Sequence, residues 1–286
     1  MLSVEESAPS SADERITAER QELKYLLRSD RLGAFLADLE RRLSSHRYLG
    51  EGANRLPDPH HYVTTIYFDT PSRKHYRAAI SNVEANVKFR AKEYYDLHPS
   101  LTELATEPEH IVRYQPWVWF ELKRKHNDRT AKQRLRVPKR GVPSLFTSGR
   151  VVPDAFAAPE LGLDESTWSG LEAIVGYCRE LDEPLEPSCL VNYRRLPFQA
   201  DDGSLRVTID LGLAFYAPEP DLWTRPRPLV RNELGPVRGE LDEAVIEVKQ
   251  HSATPSWLSR ALDRACVAPI SFSKFVAASG AVHGAS

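Results

Sequence analysis

Cysteine is scarce in this chain, long apolar runs are missing and neither sign of charge prevails; each absence removes a class of protein. The three cysteines, Cys178, Cys189 and Cys266, show no C-x-x-C spacing and no histidine pairing. Zinc-site spacing is absent, and buried free thiols are the expectation. No stretch approaches the roughly 20 apolar residues of a membrane-spanning helix. The opening "MLSVEESAPSSADERITAER" has acids where a secretory signal carries an apolar core. A cytoplasmic protein without direct membrane insertion is therefore expected. A net charge of -2 argues against a general nucleic-acid binder. The phosphate-cradling motif G-x-x-x-x-G-K-[ST] is also missing, which removes the P-loop nucleotidases.

What remains is a soluble composition with patterned charge. At 286 residues, 41% hydrophobic and 27% charged, the chain can bury a substantial core. Residues 1–18 lack periodicity and read as a disordered tail. No low-complexity linker divides the rest, so one domain is expected over 19–277, with a short tail over 278–286. Helical spacing appears three times. "SDRLGAFLADLERRL" aligns Leu32, Phe35, Leu36, Leu39 and Leu43, with Ser29 or Asp30 as the expected N-cap. "STWSGLEAIVGYCREL" aligns Leu171, Ile174, Val175 and Cys178, and "TPSWLSRALDRA" opens with Thr254 before Pro255. "APEPDLWTRPRPLVRNELGPVRG" carries too many prolines for a central strand and reads as a long surface excursion.

The remaining segments alternate apolar and charged residues with a period of two, as half-buried antiparallel strands do. In "WFELKRK", Glu121, Lys123 and Lys125 oppose Phe120 and Leu122. The same division recurs at Glu22 and Lys24, at Lys88, Arg90 and Lys92, at Lys132, Arg134 and Arg136, at Arg206, Thr208 and Asp210, and at Glu247 and Lys249. One such strand is an ordinary solvated surface. Six need a common explanation, because like charges across a sheet repel. An α+β fold supplies it: an eight-stranded antiparallel β-barrel, its apolar faces turned outward against helices and its ionic faces lining a water-filled lumen. Such a crowd of cations calls for an anion of high charge density, and a chain of phosphates with an accompanying divalent metal fits. The His60–His61 pair reads as surface. Trp117, Trp119, Trp223 and Trp257 read as packing, although a tryptophan at a tunnel mouth is able to stack an adenine.

Three Glu-x-Lys strands, R-x-K-x-Y from Arg90, K-x-R at Lys132, "NYRRLPF", "LRVTID", "VIEVK" and "SFSKF" together resemble the VTC domain over roughly residues 18 to 277. This is the polyphosphate polymerase branch of the triphosphate tunnel metalloenzymes, a CYTH-like superfamily. The resemblance implies a divalent metal, Mn2+ or Mg2+, and transfer of the γ-phosphoryl group of ATP onto growing inorganic polyphosphate. Carried over by position, it implies Lys24, Arg90, Lys92, Lys123, Lys132, Arg195, Arg206, Lys249 and Lys274 as phosphate ligands. Arg90, Lys92, Lys123, Arg206 and Lys274 among them are expected to hold the nucleotide. Glu247 is implied as the metal ligand, with Glu121 and Glu22 as assistants. Two positions depart from the pattern: Lys92 replaces a common second arginine, losing bidentate contact but keeping charge, and Pro197 replaces a common alanine.

Two rival readings stand beside the polymerase. A tunnel triphosphatase would pass the phosphoryl group to water; that branch favours Glu-x-Glu-x-Lys, whereas positions 20, 119 and 245 here are Arg, Trp and Val. A non-catalytic polyphosphate- or nucleotide-binding module would keep the cations without turnover. ATP and inorganic polyphosphate are the expected partners, nucleic acid is not, and a separate membrane subunit that receives product is left open.

Overall fold

The computed structural model describes residues 21–45, 61–81, 85–98, 111–126, 129–163, 167–224, 229–265 and 268–284. The expected N-terminal tail, Arg20, His60 and Cys266 lie outside them. Eight long strands, numbered in chain order, are β1 (Gln21–Leu27), β2 (His61–Asp69), β3 (Ala85–His98), β4 (Trp117–His126), β5 (Arg129–Pro138), β6 (Glu186–Gln199), β7 (Leu205–Tyr216) and β8 (Ala244–Gln250). Five α-helices accompany them: α1 (Ser29–Glu40), α2 (Lys74–Ile80), α3 (Trp168–Arg179), α4 (Ser256–Ala265) and α5 (Lys274–His283).

The strands follow the order β1-β8-β7-β6-β2-β3-β4-β5, antiparallel at every step. Short strands Ser44–Ser45, Ile111–Tyr114 and Val237–Leu241 add to β6, β3 and β7, making an 11-stranded sheet. The α+β class and the antiparallel path of eight are as expected, but the closed barrel is not found: among the described residues no ladder joins β1 to β5. Other segments flank the two outer strands. On β1, the Lys24 carbonyl accepts the backbone N–H of Ile270 at 2.8 Å. Against β5 lies α3, so close at Gly170 that a β-carbon there would stand 2.5 Å from the Arg134 carbonyl oxygen. Occupied flanks remove the need for an edge-to-edge ladder.

Alternation sends one parity of each strand outward. Outward residues of β1, β7 and β8 pack with Phe35 and Leu39 of α1 and Leu258 and Leu262 of α4. Those of β2 to β5, among them Phe68, Phe89, Phe120 and Leu135, pack with Ile174 and Val175 of α3. Helix α1 begins at Ser29, with Arg28 in the cap position; Ser29 Oγ donates to the Asp242 carbonyl at 2.9 Å instead of capping. The expected surface excursion is held down. Leu222, Trp223, Leu229 and Leu234 enter the outer core, and Leu229 donates its N–H to buried Glu93 at 3.1 Å while its carbonyl accepts from Thr64 at 2.6 Å.

Not every helix lies outside, contrary to expectation. The inward parity is ionic over only part of its length: Val63, Tyr67, Val191, Tyr193 and Val245 share that face. These must be shielded from water, and α5 does so with Phe275 and Ala278, supported by Tyr76 of α2. The expected domain end at residue 277 falls inside α5, which continues to His283. A bulge on β7 makes the split possible. Three steps from Leu211 to Ala214 face two on β6, and Gly212, at φ +57, takes the left-handed conformation that glycine adopts without steric cost. Asp210 thus points inward before the bulge and Leu213 after it. No described helix is long and apolar enough to cross a membrane.

Candidate functional site

The concave face carries one strongly ionic pocket. Lys24, Lys88, Arg90, Lys92, Lys123, Arg195, Lys249 and Lys274 line it with Glu22 and Glu247, and Tyr67, Tyr193, Phe272 and Ser273 complete the wall. The cations come from β1, β3, β4, β6, β8 and the start of α5, so only the folded sheet assembles them. Register sets neighbours: Lys24 faces Glu247, Glu22 faces Lys249, and Lys88 faces Lys123.

Two carboxylates organise the cations from beneath. Glu121, 1% exposed, accepts from Arg90 Nε at 2.8 Å and Nη2 at 2.7 Å. Lys132 stands 3.1 Å, Arg134 3.2 Å and Lys92 3.6 Å from the same carboxylate. Burial opposes its charge, but Lys92, Arg90, Lys132 and Arg134 outweigh burial and hold the carboxyl well below the usual range. Asp210, fully buried, accepts two hydrogen bonds from Arg195 at 2.6 and 2.7 Å and lies 2.7 Å from Lys274 Nζ. It ties the first residue of α5 to the sheet.

Glu22 and Glu247 border the pocket itself. Glu247 pairs with Lys249; burial works against its charge, yet Lys249, Arg195, Lys274 and Lys24 keep it ionised. Glu22 lies 3.3 Å from Lys24 and 3.9 Å from both Lys123 and Lys249. Four lysines feel the crowding in the opposite sense, whereas at Lys249 burial is outweighed by Glu247 and Glu22, which raise it. Lys88 is pushed down to about 8 by burial and by Lys24, Lys123 and Arg90. Burial and Arg90 hold Lys92 well below the lysine range, and burial also lowers Lys123 and Lys274. An anion that entered would relieve this repulsion.

Among the residues expected from sequence, Lys24, Arg90, Lys92, Lys123, Arg195, Lys249, Lys274, Glu22 and Glu247 meet in this pocket. Lys132 does not border it and joins through Glu121. Arg206 faces Lys249 across the β7–β8 ladder. Glu121 is engaged by four protein cations, the arrangement of an organising anion. Sequence reading left Lys88 and Asp210 without a role although their parity matched. Ser273, which accepts from Lys88 at 3.1 Å, and Phe272, whose carbonyl accepts from Lys24 at 2.9 Å, lie inside the "SFSKF" stretch, which suggested a role for Lys274 alone. Cys178 and Cys189 carry no partner chemistry, and burial pushes the Cys178 thiol up to about 12.

The described residues hold no group of three or more His, Cys, Asp or Glu side chains placed for a metal. Glu22 and Glu247, on paired strands, remain. Two carboxylates fit a hard divalent cation that takes its other ligands from phosphate oxygens and water, the usual mode for Mg2+ beside phosphates.

The antiparallel sheet thus presents a concave face of cations braced by buried carboxylates, an arrangement suited to an anion of high charge density. A family model described as VTC domain matches residues 19–283, and the chain belongs to the VTC domain family. HpAC1 of Hippeastrum, proposed as an adenylyl cyclase and described with a dominant triphosphatase activity, is a similar solved structure. It is 13% identical at a TM-score of 0.47, covering 90% of this chain and 93% of its own. A proposed adenylate cyclase from Bacillus halodurans is 12% identical at a TM-score of 0.42, covering 91% and 98%. No curated protein matches the chain.

Proposed function

We propose that this protein is a polyphosphate polymerase that moves the γ-phosphoryl group of ATP onto the end of an inorganic polyphosphate chain. The observation that carries the reading is the pocket wall: eight cationic side chains against two carboxylates, braced from below by Glu121 and Asp210. Phosphoryl transfer needs little covalent chemistry from a protein; it needs donor, acceptor and leaving oxygens held in line and their charge stabilised. Arg90 and Arg195, each clamped by a carboxylate, present fixed guanidinium groups to phosphate oxygens. Lys24, Lys123, Lys249 and Lys274 supply positive charge around them. The terminal phosphate of the polymer is already ionised, so the acceptor requires no general base.

Glu247, assisted by Glu22, would hold Mn2+ or Mg2+, which when bound supplies Lewis-acid neutralisation of phosphate charge. The positions where the triphosphatase branch favours a first glutamate support the polymerase. Val245 is buried among apolar neighbours, and Trp119 lies under the guanidinium of Arg134 at 3.6 Å. A concave face poorer in carboxylates suits a longer polyanion.

The purified protein with ATP and Mn2+, read on a gel stained for polyphosphate, tests the reading. A ladder of long polymer is the expected result. Free phosphate alone assigns the chain to triphosphate hydrolysis, and tight ATP binding without product assigns it to a binding module.

A further inference from the structure

Where β4 begins and β5 ends, two tryptophans alternate with two arginines. Trp119 faces Arg136 and Trp117 faces Pro138 in the ladder. The Arg136 guanidinium lies 4.5 Å from the centre of the Trp117 ring and 5.9 Å from that of Trp119. Arg134 covers Trp119 at 3.6 Å and stands 3.2 Å from Glu121. The result is a continuous stack, Trp117, Arg136, Trp119, Arg134, that leads directly into the cluster around Glu121 and Arg90. All four side chains are only half-buried.

The position of this stack matters as much as its chemistry. Helix α5 ends with His283 bonded to Ser188, near the start of β6. Because each strand is antiparallel to the next, the start of β6 lies at the opposite end of the sheet from the starts of β4 and β7. The tryptophans therefore stand at the end away from the close of α5, together with Arg206 near the start of β7. The pocket wall itself recognises phosphate charge, and its tyrosines Tyr67 and Tyr193 are buried. A rigid indole held in place by a guanidinium on one face offers a flat surface on which any nucleobase stacks.

The geometry points to Trp117, backed by Arg136, as the platform that stacks the base of the nucleoside triphosphate donor, with its phosphates directed toward Arg90. This subsite rests on the triphosphate reading above, and its test separates the two. ATP and tripolyphosphate binding are measured by calorimetry on wild type, Trp117→Ala and Trp117→Phe. Tripolyphosphate carries the charge and lacks the base. Trp117→Ala is expected to weaken ATP binding at least about fivefold more than tripolyphosphate binding, and Trp117→Phe to restore most of the difference. GTP should follow ATP, since stacking tolerates any base.

Equal loss of both ligands in Trp117→Ala, or no loss of either, overturns the platform and leaves the triphosphate reading standing. So does a difference that Trp117→Phe fails to restore. If wild type binds neither ligand, the triphosphate reading falls and the subsite with it.

Discussion

At the scale of single residues, the carboxylates of the concave face divide by what surrounds them. Glu121 is enclosed by Arg90, Lys92, Lys132 and Arg134, whereas Glu247 borders the pocket and pairs with Lys249. Substitution should separate the two. Glu121→Gln keeps the volume and removes the charge on which four cations converge. Breaking a buried ion pair from one side costs about 3–5 kcal/mol, and urea unfolding is expected to show a loss of that order. Glu247→Gln should cost less, because Glu22 remains 3.9 Å from Lys249. Its expected effect is on divalent-dependent turnover, which should disappear while the fold persists. The division is wrong if the two variants lose stability equally, or if Glu247→Gln keeps metal-dependent activity. Parity along a strand revealed that these groups share a face. It did not reveal which would be saturated by neighbours, since that depends on register between strands far apart in sequence.

Among the elements, α1, α3 and α4 were legible because each presents one apolar stripe and one polar face. Helix α5 was not. "KFVAASGAVH" is apolar on nearly every side, as a helix laid against the inside of a sheet must be, and so it carries no periodic contrast. Sheet closure was equally hidden: alternation fixes faces but not whether the first and last strands meet. The docking of α3 against β5 depends on one missing side chain. A β-carbon at Gly170 would meet the backbone carbonyl of Arg134 at 2.5 Å, and backbone cannot swing aside as a flexible side chain does. Gly170→Ala should therefore push α3 off the strand and lower unfolding free energy by about 1–3 kcal/mol, the usual cost of overpacking. Gly176→Ala on the same helix has open space, and is expected to be neutral or slightly stabilising. Equal urea midpoints for the two variants would mean that α3 does not depend on this contact.

On the scale of the whole molecule, folding alone is opposed by the charges that binding needs. Lys88 illustrates the sign. In the unfolded chain it titrates near 10.5, and in the fold near 8, because burial, Lys24, Lys123 and Arg90 disfavour its ammonium form. Below pH 8 both states carry the proton and the repulsion is fully expressed in the folded state. Between about 8 and 10.5 the unfolded chain binds more protons, so stability of the free protein rises with pH. Lys92, Lys123 and Lys274 are displaced in the same direction, and only Lys249 among the shifted pocket lysines is displaced in the other. A polyanion has the opposite preference, since it binds the charged lysines and raises their affinity for protons. Over this range tripolyphosphate itself only gains charge, so a weakening of its binding must come from the protein. Thermal unfolding from pH 7 to 9.5 should show the Tm of the free protein rising past pH 8 while the increment from tripolyphosphate shrinks. Added salt should reduce that increment most at the acidic end, where the full set of cations faces the ligand. A ligand increment independent of pH would place the anion away from these lysines, and with it the site.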